Sequence, residues 1–296
     1  MENEGPMDDR SHLAHLLREG DVLVMTGAGL STESGLPDYR GPDGVRRVEP
    51  MTVSEFRAGV AARQRYWSRS YVGWERFRTA RPNEAHRHLA ALEKAGLFET
   101  TITQNVDGLA QQAGSRDVIE LHGNLGRAVC LNCRALADRE WIQQQFATRN
   151  PVFAQDAERA RDLPLRPDGD VDIDPSLIHD IELVVCPTCG SDLLKPDVVM
   201  FGESVPKDLV THCFNRLERA KSLLVVGSSL GVMSGFRFAR RAAERDIPIV
   251  LVNTGWSRAE HLATRHLHRP LSEVLQEAVW DVLGGVDRDA NGDRRR

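Results

Sequence analysis

The chain has 296 residues, 41% of them apolar and 27% charged, the balance of a globular protein with a full core. Its net charge of −5 argues against a dedicated nucleic-acid binder, which needs a strongly basic face. No apolar run reaches the roughly eighteen residues of a spanning helix, so no membrane partner is expected. Met1 to Arg10 is acidic and polar, without the basic start, apolar stretch or arginine-rich amphipathic pattern of a targeting segment, so a cytoplasmic location is expected.

In chain order, residues 11–19 predict a short helix. Val22-Leu23-Val24-Met25-Thr26 is a continuous apolar run of strand formers, the pattern of a buried parallel strand. It turns abruptly into small and hydroxyl residues, Gly27-Ala28-Gly29-Leu30-Ser31-Thr32, which predicts a glycine loop leading into a helix N-terminus. There Gly27 and Gly29 would let backbone amides approach an anion, and Arg40 would add a mobile charge for a pyrophosphate. Taken alone, a Gly-x-Gly without the full Gly-x-Gly-x-x-Gly spacing also reads as an ordinary tight strand–helix turn.

Pro50 to Ala80 predicts two helices carrying Phe56, Tyr66, Trp67, Tyr71, Trp74 and Phe77, a stripe read as packing within a lid or small module. Asn83 to Gly96 is a further helix with Gly96 at its C-terminal end. Strands follow at Thr100 to Asn105 and Val118 to Gly123. Cys130-Leu-Asn-Cys133 and Cys186-Pro-Thr-Cys189 are two knuckles separated by 52 residues. Each presents two thiolates, and together they complete a tetrahedral site for one structural zinc ion. Disulfides are disfavoured without an export signal, and two redox pairs in such turn-forming surroundings are a weaker reading. Cys213 stands apart in a predicted helix and reads as a small core residue. Asn150 to Asp180 is rich in Pro, Asp and Arg. Its Asp168-Gly-Asp-Val-Asp run lacks the frame of a calcium loop and reads as an exposed loop.

Strands return at Pro196 to Phe201, at Leu223 to Val226 before Gly227-Ser228-Ser229, and at Ile247 to Val252 before Asn253-Thr254-Gly255. Helices are predicted near 209–220, 235–245 and 271–283, and the polar tail 284–296 is expected to be disordered. Apolar strands alternating with helical lengths predict an α/β fold. It is a doubly wound parallel sheet, Rossmann-like, with a smaller inserted zinc-binding domain and a helical module. The expected units are 11–45, 96–124 and 194–283 for the large domain, 46–95 for the helical module and 125–193 for the zinc-binding domain. Candidate ligand residues sit at strand ends, where such sheets bind ligands.

The segment from Val22 to Gly41 resembles the nucleotide-binding signature of the sirtuins, the NAD-dependent protein deacylases. It departs mainly in Tyr39, where Phe is usual. Further segments extend the resemblance: Thr103-Gln-Asn-Val-Asp-Gly-Leu109, Glu120-Leu-His-Gly123, Lys195-Pro-Asp-Val-Val-Met-Phe-Gly-Glu203, Gly227-Ser-Ser-Leu230 and Val252-Asn-Thr-Gly255. With the cysteine pairs they run in family order from about Gly20 to Val279. Arg81-Pro-Asn with His86, and Gly227-Ser-Ser where Gly-Thr-Ser is commoner, resemble the class II branch with its many bacterial members.

The resemblance implies a reaction in which NAD is consumed as co-substrate. The acyl oxygen of a modified lysine attacks the ribose carbon that held nicotinamide, and a deprotonated ribose hydroxyl then attacks the acyl carbon. Nicotinamide, O-acyl-ADP-ribose and free lysine are the products. It implies that His122 is the general base and that Asn105 positions the ribose or a water. Gln104, Val106 and Asp107 surround the nicotinamide ribose, with Asp107 on the carboxamide. Gly27, Ala28, Gly29, Ser31, Leu36, Asp38, Tyr39 and Arg40 form the cofactor loop. Gly227, Ser228 and Ser229 contact phosphate and ribose. Asn253, Thr254 and Gly255, with Leu271, hold the adenosine end. Val199, Phe201, Gly202 and Glu203 form a strand that pairs with an acyl-lysine protein or peptide.

Two departures bear on specificity. Ala110 replaces a His common after Asp-Gly-Leu. Just after the first motif, Gly44-Val-Arg46-Arg47 has arginines but no tyrosine, so the Tyr-x-x-Arg pair of the desuccinylating branch is not expected there. Neutral acyl groups, acetyl or longer, are therefore expected over succinyl. Mono-ADP-ribosyl transfer at the same NAD site and a non-catalytic NAD-sensing module are the alternative functions.

Overall fold

The run Val22–Thr26 forms a strand buried at every position, as a parallel strand covered on both faces must be. The computed structural model describes residues 9–160, 162–178 and 180–284; the tail expected to be disordered lies outside them from residue 285 onward. The first half of the chain runs α1 (Asp9–Glu19), β1 (Val22–Thr26), a 3-10 helix (Ala28–Ser34), α2 (Val53–Arg57), α3 (Val60–Thr79), α4 (Glu84–Lys94), β2 (Phe98–Thr103), α5 (Leu109–Gln112) and β3 (Val118–Glu120). Then come β4 (Gly123–Cys130), β5 (Leu136–Asp138), α6 (Arg139–Arg149), α7 (Pro151–Ala157) and β6 (Leu194–Val198). The last part is α8 (Lys207–Leu217), β7 (Ser222–Val226), α9 (Met233–Glu244), β8 (Ile249–Val252), β9 (Arg265–Leu267) and α10 (Leu271–Leu283).

Six strands form a sheet in the order β3-β2-β1-β7-β8-β9, and every neighbouring pair is parallel. Alternate side chains of the strands enter two cores. Val24, Leu224 and Val250 meet Leu13 and Leu17 of α1, Leu89 and Leu92 of α4 and Leu275 of α10. Leu23, Met25, Leu223 and Val225 meet Cys213 and Leu217 of α8 and Phe238 and Ala239 of α9. Cys213 is thus the core residue its sequence setting suggests. The strand order reverses between β1 and β7, the topological switch point beside which doubly wound sheets bind ligands.

A second sheet, β5-β4-β6, is antiparallel. Its core joins Ala128, Cys130 and Leu194 to Ile142, Phe146 and Phe153, and to the aromatic stripe of α2 and α3. Tyr71 stacks on Phe146 with ring centroids 5.1 Å apart, so the stripe is packing, as its spacing suggests. Residues on either side of the 125–193 segment enter this sheet, because β4 starts at Gly123 and pairs with β6.

Four readings of the sequence change. The strand read at Pro196 to Phe201 is β6, which ends at Val198 and belongs to the antiparallel sheet. The helix after β1 is a seven-residue 3-10 helix rather than an α-helix. The strand β9 gives no apolar run to detect; its Arg-His-Leu pairs along β8. The Asn150–Asp180 stretch contains α7, and the centre of its Asp-rich run is buried, with Asp170 only 3% exposed. Arg69 and Arg166 lie against that carboxylate, which makes the burial tolerable.

Candidate active site

The carboxyl ends of β1, β2, β7 and β8 open onto one cavity of about 560 Å³. Every residue the sequence assigns to NAD, catalysis or peptide binding borders it, from Gly27 in the first loop to Leu271 at the start of α10. The glycines do a different job from the one expected. The Gly27 N–H donates to the Val226 carbonyl (3.2 Å) and the Gly29 N–H to the Gly227 carbonyl (2.8 Å). These amides tie the exit of β1 to the exit of β7 rather than face an anion. A Cβ on Gly29 would stand 2.9 Å from the Gly227 carbonyl oxygen, and one on Gly227 only 2.4 Å from the Leu30 nitrogen. Only glycine permits that approach.

A polar network joins the exits of β1 and β2. Asn105 Nδ2 donates to the Gly27 carbonyl and to Ser31 Oγ, each at 3.0 Å. Ser31 Oγ in turn donates to Asp107 Oδ2 (2.6 Å), and the Leu109 N–H donates to Asp107 Oδ1 (2.8 Å). Burial raises the Asp107 carboxyl above its ordinary range, against these two donors, which lower it. Gln104 Nε2 reaches across to Ser228 Oγ (2.7 Å), and that hydroxyl accepts from the Leu230 N–H (3.1 Å).

His122 follows β3 and is held at both ring nitrogens. Nδ1 lies 3.0 Å from the Gln104 carbonyl and Nε2 lies 2.9 Å from Ser234 Oγ. A carbonyl oxygen only accepts, so Nδ1 carries the hydrogen and Nε2 is the free base. Burial pushes the His122 pKa below its ordinary value; the Gln104 bond opposes this and the nearby Arg237 charge adds to it. The ring is therefore neutral near pH 7, the state a general base requires.

The segment Val199–Glu203, read from the sequence as the peptide-binding strand, is more closed than that reading suggests. The Val199 N–H donates to the His122 carbonyl (2.8 Å), and the Phe201 carbonyl accepts from the Val53 N–H (2.9 Å). Glu203 accepts from the Met200 N–H (3.1 Å) and pairs with buried Lys195 Nζ (3.1 Å). This carboxylate bends Val199–Glu203 into a turn after β6, so several backbone groups are already engaged. The Tyr39 ring packs on Phe201 with centroids 5.8 Å apart, and the Arg46 guanidinium covers the same Phe201 ring at 4.3 Å. Arg40 is tied by Nη1 to the Gly44 carbonyl (2.8 Å). Asp38 is raised by burial, against the Arg47 charge.

At the adenosine end as read from the sequence, Asn253 Nδ2 donates to the Gly255 carbonyl (3.0 Å). The Trp256 N–H beyond it donates to the Pro42 carbonyl (2.9 Å). Leu271 is buried against the β7 exit.

The four knuckle cysteines come together away from this cavity. Their Sγ atoms all lie within 4.8 Å of one another, with Cys130–Cys189 and Cys133–Cys186 both at 3.7 Å. A tetrahedral zinc with bonds of about 2.3 Å needs sulfur–sulfur edges of about 3.8 Å, so the set fits that ion. It does not fit disulfides, whose bonds are about 2 Å. Both knuckles share one turn: Gly190 N–H donates to the Cys186 carbonyl as Arg134 N–H does to that of Cys130.

Residues 27–234 match the model of the Sir2 family. The chain belongs to the Sir2 family. The "NAD-dependent protein deacetylase 1" of Streptomyces coelicolor is 48% identical over 277 residues, 93% of this chain and 90% of that protein. The "NAD-dependent protein deacetylase 3" of Pseudomonas syringae pv. tomato is 44% identical over 91% of this chain and 94% of its own length. Among solved structures, a Sir2 complex described as "Sir2-p53 peptide-NAD+" superposes with a TM-score of 0.71. It is 30% identical and covers 94% of this chain and 100% of the other. Within this Sir2-family site, sequence reasoning missed Ser234, Tyr66 and Asp168, all of which border the cavity. Ser234 had no signal, because nothing local ties it to a histidine 112 residues away. Tyr66 was read only as part of the packing stripe, although Tyr66-Trp-Ser-Arg69 is itself a Tyr-x-x-Arg, so the expectation that the chain lacks that pair does not hold.

Proposed function

We propose that this Sir2-family protein is an NAD-dependent protein-lysine deacylase, with His122 as its general base. The observation that carries the reading is the setting of His122. Its basic Nε2 faces a single cavity that the exits of four parallel strands surround. NAD, when bound, supplies a ribose carbon made electrophilic by loss of nicotinamide. His122 Nε2 then takes the proton of a ribose hydroxyl once Ser234 turns aside. Its Nδ1–H stays on the Gln104 carbonyl, which steadies the imidazolium that forms.

Asn105 locks the first loop to the second through Gly27 and Ser31, so both move as one body around the ribose. Asp107, with both carboxyl oxygens already holding donors, offers remaining acceptor capacity to the nicotinamide carboxamide. The Tyr39 and Phe201 rings exclude water from the reacting carbon. Ser228, Ser229 and the Asn253–Gly255 turn take the phosphate and adenosine ends, and the Val199–Glu203 turn takes the acyl-lysine peptide through its unengaged backbone groups. A zinc ion held by Cys130, Cys133, Cys186 and Cys189 has no open coordination position and acts as a structural clamp. Five free thiols among the described residues suit a reducing cytoplasm, and no described helix is long and apolar enough to cross a membrane.

Mass spectrometry of products from NAD and an acetyl-lysine peptide tests the reading. Equal amounts of nicotinamide, free-lysine peptide and O-acetyl-ADP-ribose are expected. ADP-ribosylated protein with no peptide-dependent nicotinamide release would favour transfer instead, and no turnover would favour an NAD sensor.

A further inference from the structure

At the β9 edge of the large sheet three side chains converge that neither the cofactor loops nor the cysteine cluster uses: Glu260, His266 and His268. β9 spans Arg265–Leu267. His266 and His268 stand two positions apart, so extended backbone sends both rings to one face. Glu260 opens the 3-10 turn Glu260–Leu262 just before the strand. One ligand atom from each of the three lies within 4.8 Å of the other two. Glu260 Oε1 is 3.3 Å from His266 Nδ1 and 3.3 Å from His268 Nε2. Both contacts are longer than the about 2.7–2.9 Å of a charge-assisted hydrogen bond. They match the edges of a tetrahedron around zinc, where bonds of about 2.0–2.1 Å give edges of about 3.4 Å.

The ligands are held in advance. The His266 side chain is only 8% exposed, and its ring packs on that of His268 with centroids 3.5 Å apart. Its Nε2 is buried with no partner in bonding geometry, and the ring lies beside the backbone carbonyl of Asn253. A cation on Nδ1 puts the ring hydrogen on Nε2, on the side of that backbone. A ligating imidazole commonly uses such an outer contact. Glu260 and His268 are half exposed, which leaves an entry path and room for water at a fourth position.

We propose that Glu260, His266 and His268 form a second metal site, which takes a zinc-class divalent cation on two imidazoles, one carboxylate and water. Imidazole ligands select zinc over magnesium and calcium, which take oxygen. The site does not depend on the deacylase reading. Two of its ligands are open to solvent, so it releases its cation readily, and protein purified without added zinc keeps only the cysteine-bound ion.

The site is placed to clamp a segment that borders the cavity. The Asn253 N–H donates to the Leu267 carbonyl (3.2 Å), and the Arg258 N–H donates to the Ser229 carbonyl (2.8 Å). Asn253 and Ser229 both line the cavity. The cation joins Glu260, two residues after Arg258, to the strand that holds Asn253.

The test is a titration of untagged protein with zinc chloride, followed by calorimetry and by amide hydrogen exchange. The wild type should bind one equivalent more than His268→Ala or Glu260→Gln, and its amides in 256–268 should exchange more slowly once that equivalent is bound. Both variants change half-exposed side chains, and melting curves check that they fold. Each should weaken the added equivalent by at least about tenfold, since even outer-contact changes cost about 10–100-fold. Each should keep the zinc of the cysteine cluster. Magnesium chloride in excess should not compete. Equal zinc uptake by the wild type and both variants overturns the site. An added equivalent that leaves exchange in 256–268 unchanged overturns the clamp.

Discussion

Ser234 donates its hydroxyl hydrogen to His122 Nε2 across 2.9 Å, while the Gln104 carbonyl accepts from Nδ1 at 3.0 Å. The two bonds fix the tautomer and leave the base covered by a hydroxyl that a substrate hydroxyl can replace. Ser234 lies in the first turn of α9, whose apolar face is buried against the sheet, so this cover sits on a rigid element.

His122→Ala should leave a folded protein that has lost deacylation by about 10²–10⁴. In the wild type, His122 titrates below its ordinary value of 6.5, so the acid limb of kcat/KM should fall below pH 6.5. The Ser234 hydroxyl covers Nε2. Ser234→Ala opens that nitrogen to solvent and relieves part of the burial that lowers the His122 pKa, so the acid limb should move to higher pH. An unmoved limb would show that Ser234 does not hold the base.

Ser31→Ala tests the loop network. Removing the hydroxyl takes a donor from Asp107 Oδ2 and an acceptor from Asn105 Nδ2. A buried carboxyl that loses a donor costs about 1–3 kcal/mol. We expect a lower melting temperature and a raised KM for NAD, with the zinc content unchanged. An unchanged KM for NAD would detach this network from cofactor binding.

The sheet was legible where its strands are continuous apolar runs: Val22–Thr26 and Leu223–Val226 read as covered on both faces, and they are. The cavity residues were legible because they follow those strands in short motifs. What the sequence hid depends on long-range pairing. The amides of Gly27 and Gly29 are engaged by β7, some 200 residues away, so no local pattern could show them to be occupied. Asp168–Asp172 looked like an exposed acidic loop because its partners, Arg69 and Gly73, belong to a distant helix. β9 was silent because a three-residue strand at a sheet edge needs no hydrophobic pattern.

His86 gives a pH dependence that is independent of catalysis. It sits at the third position of α4, where its side chain and that of Asn83 cap the helix reciprocally. Burial pushes its pKa down to about 4, and the Arg87 charge adds to this. The folded pKa lies below the unfolded value of 6.5, so the unfolded chain takes up the proton first. This stability is fully present above pH 6.5 and is lost as pH falls toward 4, about 3 kcal/mol in all. His86→Gln keeps a capping-box residue without the titration. Its unfolding free energy should lose much of that slope between pH 6.5 and 4, and an equally steep slope would assign the loss to another group.

The cysteine cluster predicts how metal and activity are linked. Cys130 and Cys186 are buried in the small-sheet core together with Leu125, and Leu125 also borders the cavity. Zinc loss should therefore reach the site through packing rather than through chemistry. We expect one zinc per chain in the wild type and in Cys213→Ala, whose cysteine fills the core of the large sheet. Cys130→Ala should hold none and melt at lower temperature. Strong chelation of the wild type should reduce kcat/KM in step with the folded fraction followed by circular dichroism. Activity that vanished on chelation while the fold stayed intact would mean that the metal takes part in the reaction. That outcome would contradict a site whose four positions are filled by thiolates.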